Sequence, residues 1–281
     1  MTTNSVSIVD TRTWPPLDKL APGFDGNKAL GSTSLAGREI TWTDSRGSRV
    51  PHRFDTTTVE WSYQPGAADP HPVVSGRDDY EAFEIAEGLV YAQFHHRDDV
   101  PNTAVSLILD FEFGRSLAIV MTIEDPIEGR TRVQHNFVPA RIEGLESRGP
   151  EPAPTTALLG RRVLWNYSDE HSYEHIYLAP HWYTWHGLTG PAAGLAATDE
   201  CTTYQIRPGI YAFAAREKVI PSASVTIADH RDITSALAYG AFFGLDETRS
   251  LPTHFTFGAV GELLSHTVHR DDPYRYGALA R

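Results

Sequence analysis

The chain has 281 residues, a net charge of −12, 41% hydrophobic and 21% charged residues. This is an ordinary globular composition, long enough for one large domain or two of about 120–150 residues. A chain this acidic lacks the positive surface that a phosphate backbone or an anionic membrane attracts, so neither nucleic acid nor membrane is expected as a partner. No apolar run approaches the roughly 20 residues of a membrane helix. The opening MTTNSVSIVDTRTWPPLDKL lacks the basic-then-apolar order of a secretion signal. With Cys201 as the single cysteine, no disulfide can form within the chain, and a cytoplasmic location is expected. Twenty-two Gly and 19 Pro suit a turn-rich β protein better than a helical bundle.

Residues 1–34, with Pro15, Pro16 and Pro22, read as an irregular arm with one short helix. Strands are expected at Glu39–Thr43, His52–Phe54 and Val59–Tyr63, then a loop rich in Pro, Gly and Asp over 64–79. Further strands follow at Tyr80–Ala86, Leu89–His95, Thr103–Phe111, Ser116–Ile123 and Thr131–Ile142. Short strands at this spacing argue for a barrel or sandwich. Residues 143–157 carry three prolines and no apolar periodicity, so the domain boundary is placed here, with a semi-rigid linker over 146–157.

Beyond the linker the pattern repeats. Leu35-Ala36-Gly37-Arg38 through Trp42 matches Leu158-Leu159-Gly160-Arg161 through Trp165, an offset of 123. Val59-Glu60-Trp61 matches Tyr183-Thr184-Trp185, Gly88–Tyr91 matches Gly209–Tyr211, and Ala104–Leu107 matches Ser224–Ile227. Ordered matches with slowly drifting offsets indicate an internal duplication. The same alignment sets His95-His96-Arg97 against Ala215-Arg216-Glu217, so that the first half lacks the glutamate of the second.

The Gly-Arg-x-x-x-Trp and Glu-Gly-Leu-Val-Tyr segments resemble the N-terminal domain of the molybdenum cofactor biosynthesis protein F family. Tyr173–Leu178, Tyr183-Thr184-Trp185, Gly209–Tyr211 and Glu217-Lys218-Val219 resemble its C-terminal domain. The resemblance implies an all-β fold of two tandem lipocalin-like (calycin) antiparallel barrels, at 35–145 and 158–270, followed by a tail at 271–281. It also implies a link to molybdenum cofactor formation. More distantly, the second half resembles the phenolic acid decarboxylases, single lipocalin-like barrels in which a Tyr-x-Tyr strand, a Tyr-rich strand and a Gly-x-Tyr strand ending in a catalytic Glu follow one another. Here Trp165-Asn166-Tyr167, Tyr173, Tyr177, Tyr211 and Glu217 fall in that order. The chain departs from that family in having Trp165 for a Tyr and no Arg or Lys between Arg162 and Arg207 to hold a substrate carboxylate.

Period-two alternation in 161–217 places Trp165 with Tyr167 on one strand face. His171, Tyr173, His175 and Tyr177 share the next, then Tyr183 with Trp185, then Tyr211, Phe213, Ala215 and Glu217. An aromatic wall with a few polar heads fits a small-molecule pocket, and it equally fits a barrel core with satisfied Tyr hydroxyls. Glu217 among aromatic rings would have a raised pKa and could act as general acid or base. If its strand ended at Ala215, it would instead sit at the rim beside Arg216 or Lys218. His175 is its expected catalytic partner. Trp165, Tyr167, Tyr173, Tyr177, Tyr183, Trp185, Tyr211 and Phe213 are the expected ligand-binding residues.

No metal is expected, because His171 and His175 on one strand would stand roughly 13 Å apart. Cys201, placed in a loop over 188–203 without basic neighbours, is not expected to be a nucleophile. No phosphate loop, Gly-x-Ser-x-Gly or Cys-x-x-Cys is present, and no cofactor is expected. The function expected is acid–base chemistry of lyase, isomerase or cyclase type on a small aromatic or heterocyclic ligand. The alternative is a non-catalytic ligand-binding accessory protein of molybdenum cofactor or amine metabolism.

Overall fold

The computed structural model describes residues 11–97 and 100–268. The first ten residues of the arm, the Asp98–Asp99 turn and the tail at 271–281 lie outside the described residues. After a 3-10 turn at Thr11–Thr13 and the short helix α1 (Leu17–Leu20), everything regular is β. The first half comprises β1 (Glu39–Asp44), β2 (Arg49–Phe54), β3 (Thr58–Tyr63), β4 (Val74–Ala86), β5 (Leu89–His95), β6 (Thr103–Asp110), β7 (Arg115–Ile123) and β8 (Val133–Ile142). Each pairs antiparallel with the next, and β1 pairs with β8 to close an eight-stranded barrel.

The two-residue β9 (Ala153–Pro154) precedes the second set. That set is β10 (Arg161–Asn166), β11 (Ser172–Ala179), β12 (Trp182–Gly187), β13 (Ala196–Arg207), β14 (Ile210–Arg216), β15 (Ser222–Asp229), β16 (Ala236–Leu245) and β17 (Pro252–His266). It closes into a second barrel through the β12–β13 and β10–β17 ladders. Closure gives each barrel strand two neighbours, which is how small antiparallel barrels avoid edge-to-edge association.

The expected strands match these elements, with two exceptions. Residues 74–79 extend β4 where a loop is expected, because Val74, Gly76 and Asp78 pair with β3. Residues 196–203 belong to β13, so Cys201 sits in a strand opposite Ala215 and is buried. The Pro-rich linker is also not free: Ala153 and Pro154 pair with Gln205 and Tyr204 on the edge of β13. Proline suits such an edge position, where its missing N–H costs no ladder bond. Tryptophan dictates two glycines. Gly261 stands opposite Trp165 and Gly76 opposite Trp61. A Cβ at these positions would meet the indole rings at 2.4 and 2.8 Å.

The two barrels share a core. In β5, Val90, Ala92 and Phe94 face the interior of the first barrel, while Leu89 and Tyr91 face outward. In β14, Tyr211, Phe213 and Ala215 face inward, while Ile210, Ala212 and Ala214 face outward. These outward sets join Leu117, Ile119, Met121, Val225 and Ile227 in one buried apolar cluster between the barrels. Phe137 stacks on Tyr204 across the same junction, centroids 4.5 Å apart.

At one end of the junction Arg207 forks onto Asp110 at 2.7 and 3.1 Å, and Arg115 reaches the same carboxylate at 3.3 Å. An interface this apolar differs from the more polar contacts usual between domains of one chain. It also corrects one equivalence. The structure aligns β5 with β14 by the Gly88 and Gly209 turns, so Tyr91 matches Ala212 and Val90 matches Tyr211. A one-residue slip moves a side chain to the opposite face of a strand. Tyr91 therefore sits between the barrels and Tyr211 inside one.

Candidate functional site

The C-terminal barrel interior is built from the rings of β10–β14. Register sets Trp165 opposite Tyr173, Tyr177 opposite Tyr183 and His175 opposite Trp185. On the next ladder Tyr183 stands opposite Asp199. Strand β14 ends at Arg216, yet Glu217 keeps the inward parity of Tyr211, Phe213 and Ala215 because its N–H donates to the Ser222 carbonyl at 3.0 Å. Arg216 turns the other way, to Glu200 and Gln134.

The Glu217 carboxyl accepts from the Tyr183 hydroxyl at 3.2 Å on Oε1 and from Trp185 Nε1–H at 3.1 Å on Oε2. The same indole N–H reaches Asp199 Oδ2 at 2.8 Å. Asp199 is fully buried, and its other oxygen accepts the Lys218 backbone N–H at 3.2 Å. Burial first, then the charge of Asp199 and a hydrogen bond to it, push the Glu217 pKa well above its ordinary value of 4.5. Two carboxyl groups on one indole N–H cannot both ionise cheaply in a dry site. A carboxyl so placed favours its protonated form, which can donate toward Asp199.

Glu217 lines a cavity of about 50 Å³, shared with Tyr167 just after β10, Tyr173 and His175 of β11 and Ser224 of β15. The Tyr173 hydroxyl and His175 Nδ1 are buried and find no hydrogen-bond partner among the described residues. Burial lowers the His175 pKa to about 3, so the ring is neutral. Burial raises that of Tyr173. The neutral imidazole, the phenol and the protonated carboxyl are thus three uncharged polar heads on an apolar wall, suited to orient and protonate a small polar ligand.

Of the ten residues expected at the site, Tyr167, Tyr173, His175, Tyr183, Trp185 and Glu217 line this cavity. Trp165, Tyr177, Tyr211 and Phe213 pack in the core beneath it. Tyr177 and Phe213 meet edge-on at 5.2 Å, and Trp165 lies over Gly261. His171 points away, its Nε2 bonded to the Pro22 carbonyl at 3.0 Å. Asp199 is the functional residue that the sequence reading misses. The duplication carried the signal: Trp61 donates to Asp78 at 2.7 Å as Trp185 does to Asp199. On the same alignment His96, and not Arg97, occupies the position of Glu217.

The mouth of the cavity is closed by the N-terminal arm, which precedes the first barrel but docks on the second. Phe24 sits among Tyr167, Tyr173, Phe242 and Phe257 at centroid distances of 4.3–5.8 Å. Trp14 meets Trp185 edge-on at 5.6 Å. The Asn27 N–H donates to the Tyr167 carbonyl at 2.7 Å. An apolar cavity must reach about 150 Å³ to take a benzene ring. With the arm seated, an aromatic ligand therefore has no room, and entry requires Trp14 and Phe24 to withdraw.

Among the described residues no group of three His, Cys, Asp or Glu side chains is placed to hold a metal. No helix there is long and apolar enough to cross a membrane.

Comparison with known proteins places both halves. Residues 12–125 match the model of the MoaF N-terminal domain and residues 152–267 that of the MoaF C-terminal domain. The chain is 35% identical over 148 residues to the Protein MoaF of Klebsiella aerogenes, a match that covers 51% of this chain and 55% of that relative. It thus spans about half the length of the curated relative. A crystal structure of a candidate beta-lactamase from Burkholderia vietnamiensis aligns with 42% of this chain and all of its own, at 17% identity and a TM-score of 0.32. That level of likeness bears on neither fold nor function.

Proposed function

The chain belongs to the MoaF family, and on that premise we propose that its C-terminal barrel is a cofactor-independent acid–base site for a small aromatic or heterocyclic ligand. The observation that carries this reading is the Asp199–Glu217 pair. Its shared indole donor and its burial favour the protonated form of Glu217, whose carboxyl faces the cavity. Such pairing of carboxyl groups with divided roles is how a fold performs acid chemistry near pH 7.

In the proposed reaction Glu217 gives its proton to an acceptor atom of the ligand. Asp199, held by Trp185 and the Lys218 amide, stabilises no second negative charge, so the Glu217 carboxylate promptly takes a proton from another position of the same ligand. The net change is an isomerisation, or an elimination when a leaving group departs, and no electrons enter or leave. The His175 imidazole and the Tyr173 hydroxyl fix the ligand's orientation.

The test is a panel of pterins and hydroxyaromatic compounds, titrated against tryptophan fluorescence and followed for turnover at a cytoplasmic pH. Glu217→Gln should keep affinity and lose turnover by about 10²–10⁴-fold, the usual worth of a positioned general acid. Undiminished turnover in that variant would sink the assignment. Binding without turnover in the unmodified protein would favour the alternative, an accessory carrier in molybdenum cofactor or amine metabolism. The orphan Tyr173 and His175 polar atoms support a ligand in either case.

A further inference from the structure

The N-terminal barrel contains the larger cavity, about 330 Å³, lined by Trp42, His52, Trp61, Phe94 and His96 with valines of the facing strands. This exceeds the about 150 Å³ that takes a benzene ring, and no residue of the described part of the N-terminal arm lines it. The rings form a continuous wall. Trp42 lies 6.3 Å from His52, His52 6.1 Å from Phe94, Phe94 5.6 Å from His96, and His96 4.1 Å from Trp61.

Both ends of that wall carry an unspent polar atom. At one end the Trp42 Nε1–H is buried without an acceptor among the described residues. At the other, His96 Nδ1–H donates to Asp78 Oδ2 at 2.7 Å, and Asp78 also accepts from Trp61 Nε1 at 2.7 Å and the Arg97 N–H at 3.1 Å. With Nδ1 committed, Nε2 is the lone-pair nitrogen of a histidine oriented by a buried carboxylate, the arrangement that makes imidazole a base.

Among the described residues the mouth carries no spare positive charge. Arg46 is paired with Asp44 and Asp69, and Tyr63 and His71 also bond Asp69. Arg97, at the far rim, is paired with Asp79. No unpaired cation among these described residues is left to draw in a carboxylate or phosphate.

We propose that this barrel holds a second ligand site, for an uncharged flat aromatic or heteroaromatic molecule bearing an acidic O–H or N–H and a separate acceptor atom. His96 Nε2 takes the ligand's proton. The electron pair of the broken bond stays on the ligand heteroatom, the imidazolium that forms is neutralised by Asp78, and Trp42 Nε1–H donates to the acceptor. The duplicated barrels thus carry opposite chemistries at one position, a base at His96 and an acid at Glu217.

The probe is 4-nitrophenol, whose hydroxyl and nitro group supply the donor and the acceptor and whose phenolate absorbs apart from the phenol. Titrated into the full chain at about pH 6, where free 4-nitrophenol is mostly protonated, it should give saturable phenolate absorbance. His96→Gln should abolish that signal. Trp42→Phe should retain it with about fivefold weaker binding, the worth of one neutral hydrogen bond. Tyr173→Phe, in the other barrel, should leave the signal unchanged. Absence of a saturable phenolate signal overturns the proposal, as does a signal that survives His96→Gln or vanishes in Tyr173→Phe. If His96→Gln fails to fold by circular dichroism, Trp42→Phe decides alone: unchanged affinity in the folded variant refutes the site.

Discussion

Replacing Glu217 by Gln should change how stability depends on pH, in a direction that an ordinary surface glutamate would not give. Burial and Asp199 raise the folded-state pKa of Glu217 above 4.5. Between the unfolded and the folded value, the native state holds a proton that the unfolded state has released. Native stability then falls as pH rises through that window, by about 1.4 kcal/mol per pH unit, and levels off above the folded pKa. Gln has the same shape as protonated Glu, donates to Asp199 through its amide and does not titrate.

The difference between variant and wild type should therefore be constant below about pH 4. It should grow in favour of the variant at about 1.4 kcal/mol per unit from about pH 5.5 upward. Paired urea unfolding curves at several pH values measure that difference, and contributions from other titrating groups cancel between the two proteins. In an Asp199→Asn background burial still acts but the charge repulsion is gone, so the plateau should arrive at lower pH. A flat difference from about pH 5 to 8 would mean that Glu217 ionises normally, and the acid role would fall with it.

Other expectations follow from packing and burial. Phe24→Ala removes the ring that seats the arm against Tyr167, Tyr173, Phe242, Phe255 and Phe257, at a cost of about 3–5 kcal/mol. Faster proteolysis at Lys19 and Lys28 should report the released arm, and unchanged cleavage would contradict the capping role. Asp110→Ala leaves Arg115 buried without its carboxylate, while Arg207 keeps Glu112 as its ion-pair partner. A loss of about 3–5 kcal/mol is expected in thermal or urea unfolding, and a loss under about 1 kcal/mol would show that water already reaches the cluster. Burial pushes the Cys201 thiol up to about 12, so iodoacetamide should label it only in denaturant; rapid labelling of the native protein would refute its placement in β13.

The strands were legible because alternation and turn residues agree with local geometry. Glu39–Thr43 and Leu89–His95 need nothing beyond their own side chains to be read. The duplication was legible too, but only to within one residue. That residue decides the face, which is why Tyr91 and Tyr211 looked equivalent and His96 was set beside Arg216. Glu217 was found by strand parity together with the family resemblance.

Asp199 was hidden because a lone Asp in Thr-Asp-Glu reads as solvent-facing, and only the cross-strand ladder brings it to Trp185. The shared core was written in runs such as Ala104–Leu109 and Ile210–Ala215, apolar on both parities. A barrel strand with one wet face would alternate, so such runs signal burial on both sides. The arm's docking on the far barrel involves Phe24 and Tyr167, 143 positions apart in sequence, and no local pattern announces such a contact.

The most direct measurement of the central claim is the infrared difference spectrum of wild type minus Glu217→Gln at about pH 7, with carboxyl-labelled glutamate. The account predicts the carbonyl band of one protonated carboxylic acid in the wild type, shifted by the label and absent from the variant. A difference spectrum that shows only carboxylate bands for Glu217 would contradict it.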